Sequence, residues 1–321
     1  MITIAFQTEI LDVRGTCVAL YDYAKYFELL LHGRSIILTS KNSHHDLVAI
    51  DKFSKMFEIR WYDTNDDIQK AVHDCDYIYI IKYGRNDRYI PLGVKVLIHC
   101  VFDMSEPHGD VYAGVSKTLA AKFNSQVYVP HMISLRPNIL SGDMRNKFKI
   151  PKTAFVAGRY GGQDTFNLQF THSAILNAVN YRKDLWILLA NTPCYIRHER
   201  VIYMNSFSCE NIKREFINTC DAHLECGSLG HSFGLSIGEF SSFNKPIILY
   251  KGPVWNTAHY EILGNKGLYF SNEDELYNIL LTFDREYYSS IDNRCYQEFT
   301  PEKVMKKFKE VFLNINNETY E

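Results

Sequence analysis

The chain alternates between apolar runs of strand length and longer stretches with helical spacing, and this alternation constrains its fold more than any other feature. Ile2 to Phe6, Ser35 to Thr39, Phe57 to Trp61, Tyr77 to Ile81, Val94 to His99 and Gln126 to Val129 read as strands. Their near-continuous apolar character suits strands covered on both faces. Cys17 to Leu31, Asp66 to Val72 and Ser116 to Phe123 read as helices between them. Strand, helix and strand in repetition imply parallel sheets with crossover helices, an α/β architecture.

The pattern lapses between Ser134 and Pro151, in a stretch containing Pro, Gly, Lys and Asn, and then resumes. The second block offers strands at Thr153 to Ala157, Leu185 to Ala190, Ala222 to Glu225 and Ile247 to Tyr250. Its helices fall near Thr165 to Tyr181, Glu210 to Cys220, Glu273 to Thr282 and Pro301 to Leu313, with a short one after Gly234. A length of 321 residues accommodates two such lobes, because single domains commonly span about 100 to 200 residues.

Charge and composition narrow the partners. With 35 basic and 37 acidic residues and no run of Lys or Arg, the chain lacks what tracks a phosphate backbone, so nucleic acid is not an expected partner. Trp186 to Ala190 and Pro246 to Tyr250 fall well short of the roughly 20 apolar residues of a spanning helix. No transmembrane segment is expected, although peripheral contact with a membrane surface stays open. Met1 to Phe6 has no basic n-region and reads as a strand instead of a signal peptide. The eight cysteines lack CxxC spacing, and Cys75, Cys100 and Cys220 lie in or beside apolar elements. Reduced thiols and a cytoplasmic location are the expectation. A glycosylation sequon at Asn317 lies in the polar tail.

The chemistry concentrates in His231-Ser232-Phe233-Gly234-Leu235-Ser236-Ile237-Gly238-Glu239, which leads through Asn244-Lys245-Pro246 into an apolar strand. A Gly-containing turn opens a short helix, whose free N–H groups can hold a pyrophosphate. An ionised Glu239 one to two turns in can accept hydrogen bonds from adjacent hydroxyls. A nucleotide sugar carries both groups.

This stretch resembles the donor-binding signature of retaining glycosyltransferases of the GT-B fold, glycosyl transferases group 1. There Glu-Gly-Phe-Gly-Leu is followed by a second Glu eight positions after the first, and then by small residues and Gly-Lys-Pro-Val. Glu239 stands at the second acidic position, His231 at the first, and Asn244 where Gly is frequent. The resemblance implies two Rossmann-like domains with parallel sheets facing across a cleft. It implies an acceptor-side domain over residues 1–135, a linker over 136–151, a nucleotide-sugar domain over 152–300, and a C-terminal helix within 301–321 packing back on the first domain. It further implies a sugar transferred from a nucleoside diphosphate to a hydroxyl acceptor, glycan or other, with retention and no metal.

Site roles follow from the same resemblance. Glu239 would hold the ribose hydroxyls, while Phe233, Gly234, Leu235 and Ser236 form the helix start that meets the diphosphate. Arg159, after Gly158, would neutralise the departing nucleoside diphosphate. The family's lysine a few residues later is missing from Gly161-Gly162-Gln163-Asp164, leaving the site one cation short. His99, at a strand end, would contact the transferred sugar, and Gly15 with Arg14 and Thr16 would form the glycine loop near the phosphates and acceptor. His231 can hydrogen-bond a sugar but supplies no fixed negative charge.

Other motifs carry less. Asp74-Cys75-Asp76 has the spacing of a metal-binding Asp-x-Asp but precedes a strand, at the amino edge, away from a ligand crevice. His44-His45-Asp46, and Cys209 with His223, do not make a ligand set. Within the resemblance, an epimerase or phosphorylase is the alternative, and a noncatalytic sugar-nucleotide scaffold is the rival of another class. A dinucleotide oxidoreductase is disfavoured, because no G-x-G-x-x-G turn follows the first strand.

Overall fold

A computed structural model describes residues 1–86 and 91–314, and the Asn317 sequon lies outside the described residues. The chain divides into two compact units, Met1–Met132 with Phe299 onward, and Ile133–Glu298.

The first unit runs β1 (Thr3–Thr8), α1 (Gly15–Leu31), β2 (Arg34–Ser40), α2 (Leu47–Ser54), β3 (Glu58–Tyr62), α3 (Asn65–Ala71), β4 (Tyr77–Lys82), β5 (Lys95–Cys100), β6 (Val111–Gly114) and α4 (Lys117–Lys122). Its sheet has the order β3-β2-β1-β4-β5-β6, with parallel pairing throughout. The expected strand at Gln126 to Val129 is replaced by an isolated bridge between Tyr128 and Gly114, and Val111–Gly114 supplies the edge strand instead. The strands are buried where their sequence is continuously apolar, as at Ile36, Ile37 and Leu38. α3 opens on a capping box in which Thr64 and Asp67 satisfy each other's backbone N–H groups.

The second unit runs β7 (Phe155–Tyr160), α5 (Gln169–Tyr181), β8 (Leu185–Ala190), β9 (Val201–Met204), α6 (Glu210–Thr219), β10 (Ala222–Glu225), β11 (Gly230–His231), α7 (Leu235–Ser242), β12 (Ile247–Tyr250), β13 (Asn256–Thr257), α8 (Ala258–Leu263), β14 (Leu268–Phe270), α9 (Glu273–Thr282) and α10 (Arg285–Ser290). Its main sheet is also parallel, in the order β14-β12-β10-β7-β8-β9. Counted from β7, this is the same order as in the first unit. Each sheet reverses its direction of growth once, at β1/β4 and at β7/β10. Ligands of open α/β sheets bind beyond the carboxyl ends of the strands at such a point. The chain is an α/β protein with two Rossmann-like parallel sheets.

The last helix, α11 (Pro301–Phe312), starts with Thr300 as cap and Pro301 in its first turn. It belongs to the first unit, where Phe308 packs against Tyr23, Phe27 and Tyr79.

Gly158 is set by packing. A Cβ there would lie 2.3 Å from Cys220 Sγ and 3.2 Å from the Leu188 carbonyl oxygen. Gly158→Ala is expected to destabilise the protein by about 1–3 kcal/mol, the usual cost of overpacking. Adding Cys220→Ala should recover part of the loss in chemical denaturation, and equal losses for the single and double variants would show that Cys220 is not the obstacle.

Candidate functional site

The carboxyl ends of β7 and β10 carry most of the unusual chemistry in the second unit. Arg159 and Tyr160 are consecutive on β7, so their side chains leave opposite faces of the sheet. Arg159 is fully buried, its Nη1 donating to Thr192 Oγ1 and its Nη2 to Thr165 Oγ1, each at 2.7 Å. Its guanidinium lies 5.3 Å from the centre of the Phe166 ring. No carboxylate comes within 4.0 Å of it among the described residues, and its Nε has no hydrogen-bond partner. The glycines that follow make room, since a Cβ on Gly161 would lie 2.7 Å from Arg159 Nη2.

On the other face, Tyr160 donates from its hydroxyl to Glu239 Oε2 at 2.6 Å, while Lys213 on α6 approaches Glu239 Oε1 at 2.7 Å. Glu239 is 6% exposed. An ionised carboxylate offers about four acceptor positions, so two remain after these bonds. Burial pushes the Tyr160 hydroxyl well above its ordinary value, and the Glu239 charge adds to the effect. Tyr160 is therefore a fixed donor. Arg159 and Glu239 do not touch; Tyr160 is the residue of β7 that reaches Glu239.

Glu225 closes β10 between these groups. Burial disfavours its charge, but His231, His223 and Arg159 outweigh that and hold the carboxyl well below the usual range. His223 Nε2 and His231 Nε2 stand 3.5 and 3.4 Å from Glu225 Oε2, and Oε1 has no partner. Burial lowers the His223 imidazole, although Glu225 opposes the shift. His259 packs edge-on against His231 and is lowered to about 3, by burial and then by His231. Two reciprocal bonds tie the flanking loops together, Asn167 Nδ2 to Ser228 Oγ at 2.9 Å and Ser228 N to Asn167 Oδ1 at 3.0 Å.

α7 begins at Leu235 after Gly234, whose φ of 86° and ψ of 69° place it in the left-handed region. No side chain caps this helix. Its first N–H groups, at Leu235, Ser236 and Ile237, are the free donors of a helix start. Phe233 is buried against Tyr296, whose hydroxyl donates to the Phe233 carbonyl oxygen at 2.8 Å and pins the turn.

The remaining candidates lie in the first unit. Arg14, Gly15 and Thr16 are exposed at the start of α1, with Arg14 N donating to Asp12 Oδ1. His99 is fully buried among Tyr79, Tyr23, His131 and Phe312. Its Nε2 lies 2.8 Å from the Val129 carbonyl, which only accepts, so Nε2 carries the proton and Nδ1 accepts from the Tyr79 hydroxyl at 2.5 Å. Both ring nitrogens are thus engaged, and neither is left for a ligand. Asp74 pairs with Arg60, and Asp76 accepts from Thr3 N, so both sit in structural bonds. Among the described residues, no three His, Cys, Asp or Glu side chains are grouped to hold a metal ion.

Lys213, Tyr160 and Glu225, which contact Glu239 or His231, carry no mark in the sequence that singles them out as candidates. Glu225 is the polar end of an apolar strand, and Lys213 is one of several charged residues on an amphipathic helix.

No protein-family model and no curated protein matches the chain. Solved structures do. HepE from Anabaena, in complex with UDP-glucose, matches with a TM-score of 0.78 at 12% identity, covering 98% of this chain and 100% of that one. A glycosyltransferase from Rickettsia africae ESF-5 gives a TM-score of 0.66 at 13% identity, covering 98% and 99%. WaaG, a glycosyltransferase involved in lipopolysaccharide biosynthesis, gives 0.60 at 13%, covering 96% and 99%. With these neighbours and its two sheets, the chain has the GT-B fold.

His99 also sets an acid response. Burial lowers its imidazole to about 4, against the pull of the Val129 carbonyl. As pH falls from about 6.5 to about 4, the unfolded chain takes up a proton that the folded chain refuses, which removes on the order of 3 kcal/mol of stability. Chemical denaturation should show stability falling through that window, and His99→Gln should make the slope shallower. An identical slope would show that His99 does not titrate in this way.

Proposed function

We propose that the chain is a glycosyltransferase that moves a sugar from a nucleoside diphosphate to a hydroxyl acceptor, glycan or other, with retention and without a metal ion. One observation carries this reading: the fully buried Arg159 guanidinium at the carboxyl end of β7 has no carboxylate in ion-pair contact among the described residues. A buried cation is costly unless an anion completes it, and a diphosphate is such an anion. The uncapped start of α7 supplies further donors. Glu239, with two acceptor positions left, suits the ribose hydroxyls. UDP-glucose in the similarly folded HepE agrees with this ligand class.

In the reaction, Arg159 would stabilise charge on the leaving diphosphate as the glycosidic bond breaks. The leaving phosphate itself would help take the proton of the acceptor hydroxyl, so that no protein nucleophile is needed and rate comes from positioning and electrostatics. His231 and the missing lysine after Arg159 favour a second reading, a sugar-nucleotide binder without turnover. Stabilisation by donor with no transfer or hydrolysis would select it.

A thermal-shift panel of nucleoside diphosphates and their sugar donors, UDP and UDP-glucose first, is the direct test, because a ligand of the folded state raises its stability. Arg159→Ala should abolish the shift and cut turnover by about 10²–10³, the usual cost of removing one such donor. Glu239→Gln keeps the Tyr160 bond but weakens the acceptor, and should lower donor affinity by about tenfold or more. Wild-type affinity and turnover in both variants would remove the donor site from this part of the molecule.

A further inference from the structure

The stretch that leads into β7 turns a corner with two aliphatic residues at its tip. Asn138 accepts from Ser141 N through its carbonyl oxygen at 3.0 Å and from Leu140 N through its side chain at 2.9 Å. Ile139 and Leu140 therefore occupy the corner positions of a tight turn, where Pro, Gly, Asn, Asp and Ser are the usual residues. They are 100% and 88% exposed, and Ile139 is the most exposed large apolar side chain among the described residues. We propose that this turn is a membrane contact, in which Ile139 and Leu140 enter the headgroup region of an anionic phospholipid bilayer and the basic residues flanking them meet the lipid phosphates.

The turn is held firmly by α6. Arg214 Nε donates to the Arg136 carbonyl oxygen at 3.1 Å, and Asn218 Nδ2 donates to the carbonyl oxygens of Ser141 and Gly142 at 3.1 Å each. Thr219 Oγ1 accepts from Met144 N at 2.7 Å. These bonds fix both arms of the turn and leave its corner in solvent. An apolar pair on a rigid support gives up little conformational freedom when it inserts.

Charge selects the kind of partner. Over residues 136–152, Arg136, Lys147, Lys149 and Lys152 are exposed, against a single acid, Asp143. The segment's one ion pair among the described residues joins the buried Arg145 to Asp221, so the exposed cations are open to a counter-ion. The whole chain has 35 basic and 37 acidic residues, which makes this excess a local one. A nucleic acid would use the cations but leave Ile139 and Leu140 in water, and an apolar protein socket would leave the cations unused. Anionic headgroups over hydrocarbon satisfy both. The surface is distinct from Arg159 and Glu239, and it does not depend on the donor-site reading.

Co-sedimentation with vesicles of phosphatidylcholine containing roughly one-third phosphatidylglycerol, against phosphatidylcholine alone, tests this. The full chain should bind the mixed vesicles at least about tenfold more tightly than the neutral ones, and lose that binding steeply as salt screens the headgroups. Ile139→Ser/Leu140→Ser introduces residues at home in a turn, so it should keep wild-type thermal stability while cutting vesicle binding by about 100-fold. Lys147→Gln/Lys149→Gln should cut binding by about tenfold and flatten the salt dependence. Failure of the wild-type chain to bind the mixed vesicles, undiminished binding by the serine variant, or equal affinity for both vesicle types overturns the proposal. A dimer in gel filtration that the serine substitutions split, without vesicle binding, overturns it in favour of self-association.

Discussion

A guanidinium removed from water is the constraint around which the second unit is organised. Transferring such a charge from solvent costs several kcal/mol before compensation. The surroundings of Arg159 read as a set of partial compensations: two threonine hydroxyls, an aromatic face, and the field of Glu225. Gly161 follows from the same demand, because a side chain there would occupy the space of Nη2. The compensation remains incomplete at Nε. Hydroxyls and a ring face thus stand around Arg159 where an ion pair would otherwise be expected.

The position of this charge is a consequence of topology. Both sheets repeat one strand order, and in the second the growth reverses between β7 and β10. Helices leave these strands to opposite faces, which opens a space above their carboxyl ends. Ala222 pairs with Ala157 and His223 with Gly158, so the two strands run side by side toward their carboxyl ends. Acid, imidazoles, guanidinium and phenol meet there because two strands end together, not because they are neighbours in sequence.

Much of this was legible from the residues. Leu185–Ala190, Ala222–Glu225, Ile247–Tyr250 and Glu273–Thr282 lie where the apolar pattern puts them, since each buries a continuous run or a clear stripe. α2 was missed because Leu47 and Val48 point to solvent, which erases the stripe that marks a helix. β9 was missed for want of length, having four residues of which one is buried. Within the site, Arg159, His231 and Glu239 were reached through the resemblance to the GT-B donor signature. The bonds of Glu239 to Tyr160 and Lys213 were not, because they depend on which faces of β7 and α6 come together. His99 shows the opposite failure: a histidine at a strand end reads as a ligand contact, and its aromatic enclosure comes from residues far away in the chain, such as Phe312.

The exchange of hydrogen bonds between Asn167 and Ser228 links the loop that follows β7 to the loop that follows β10. The Asn167 amide donates to the Ser228 hydroxyl and accepts from the Ser228 backbone N–H, so sliding one loop past the other would break two bonds at once. Removing the Asn167 amide would release both loops at once, whereas removing the Ser228 hydroxyl would leave the backbone bond in place.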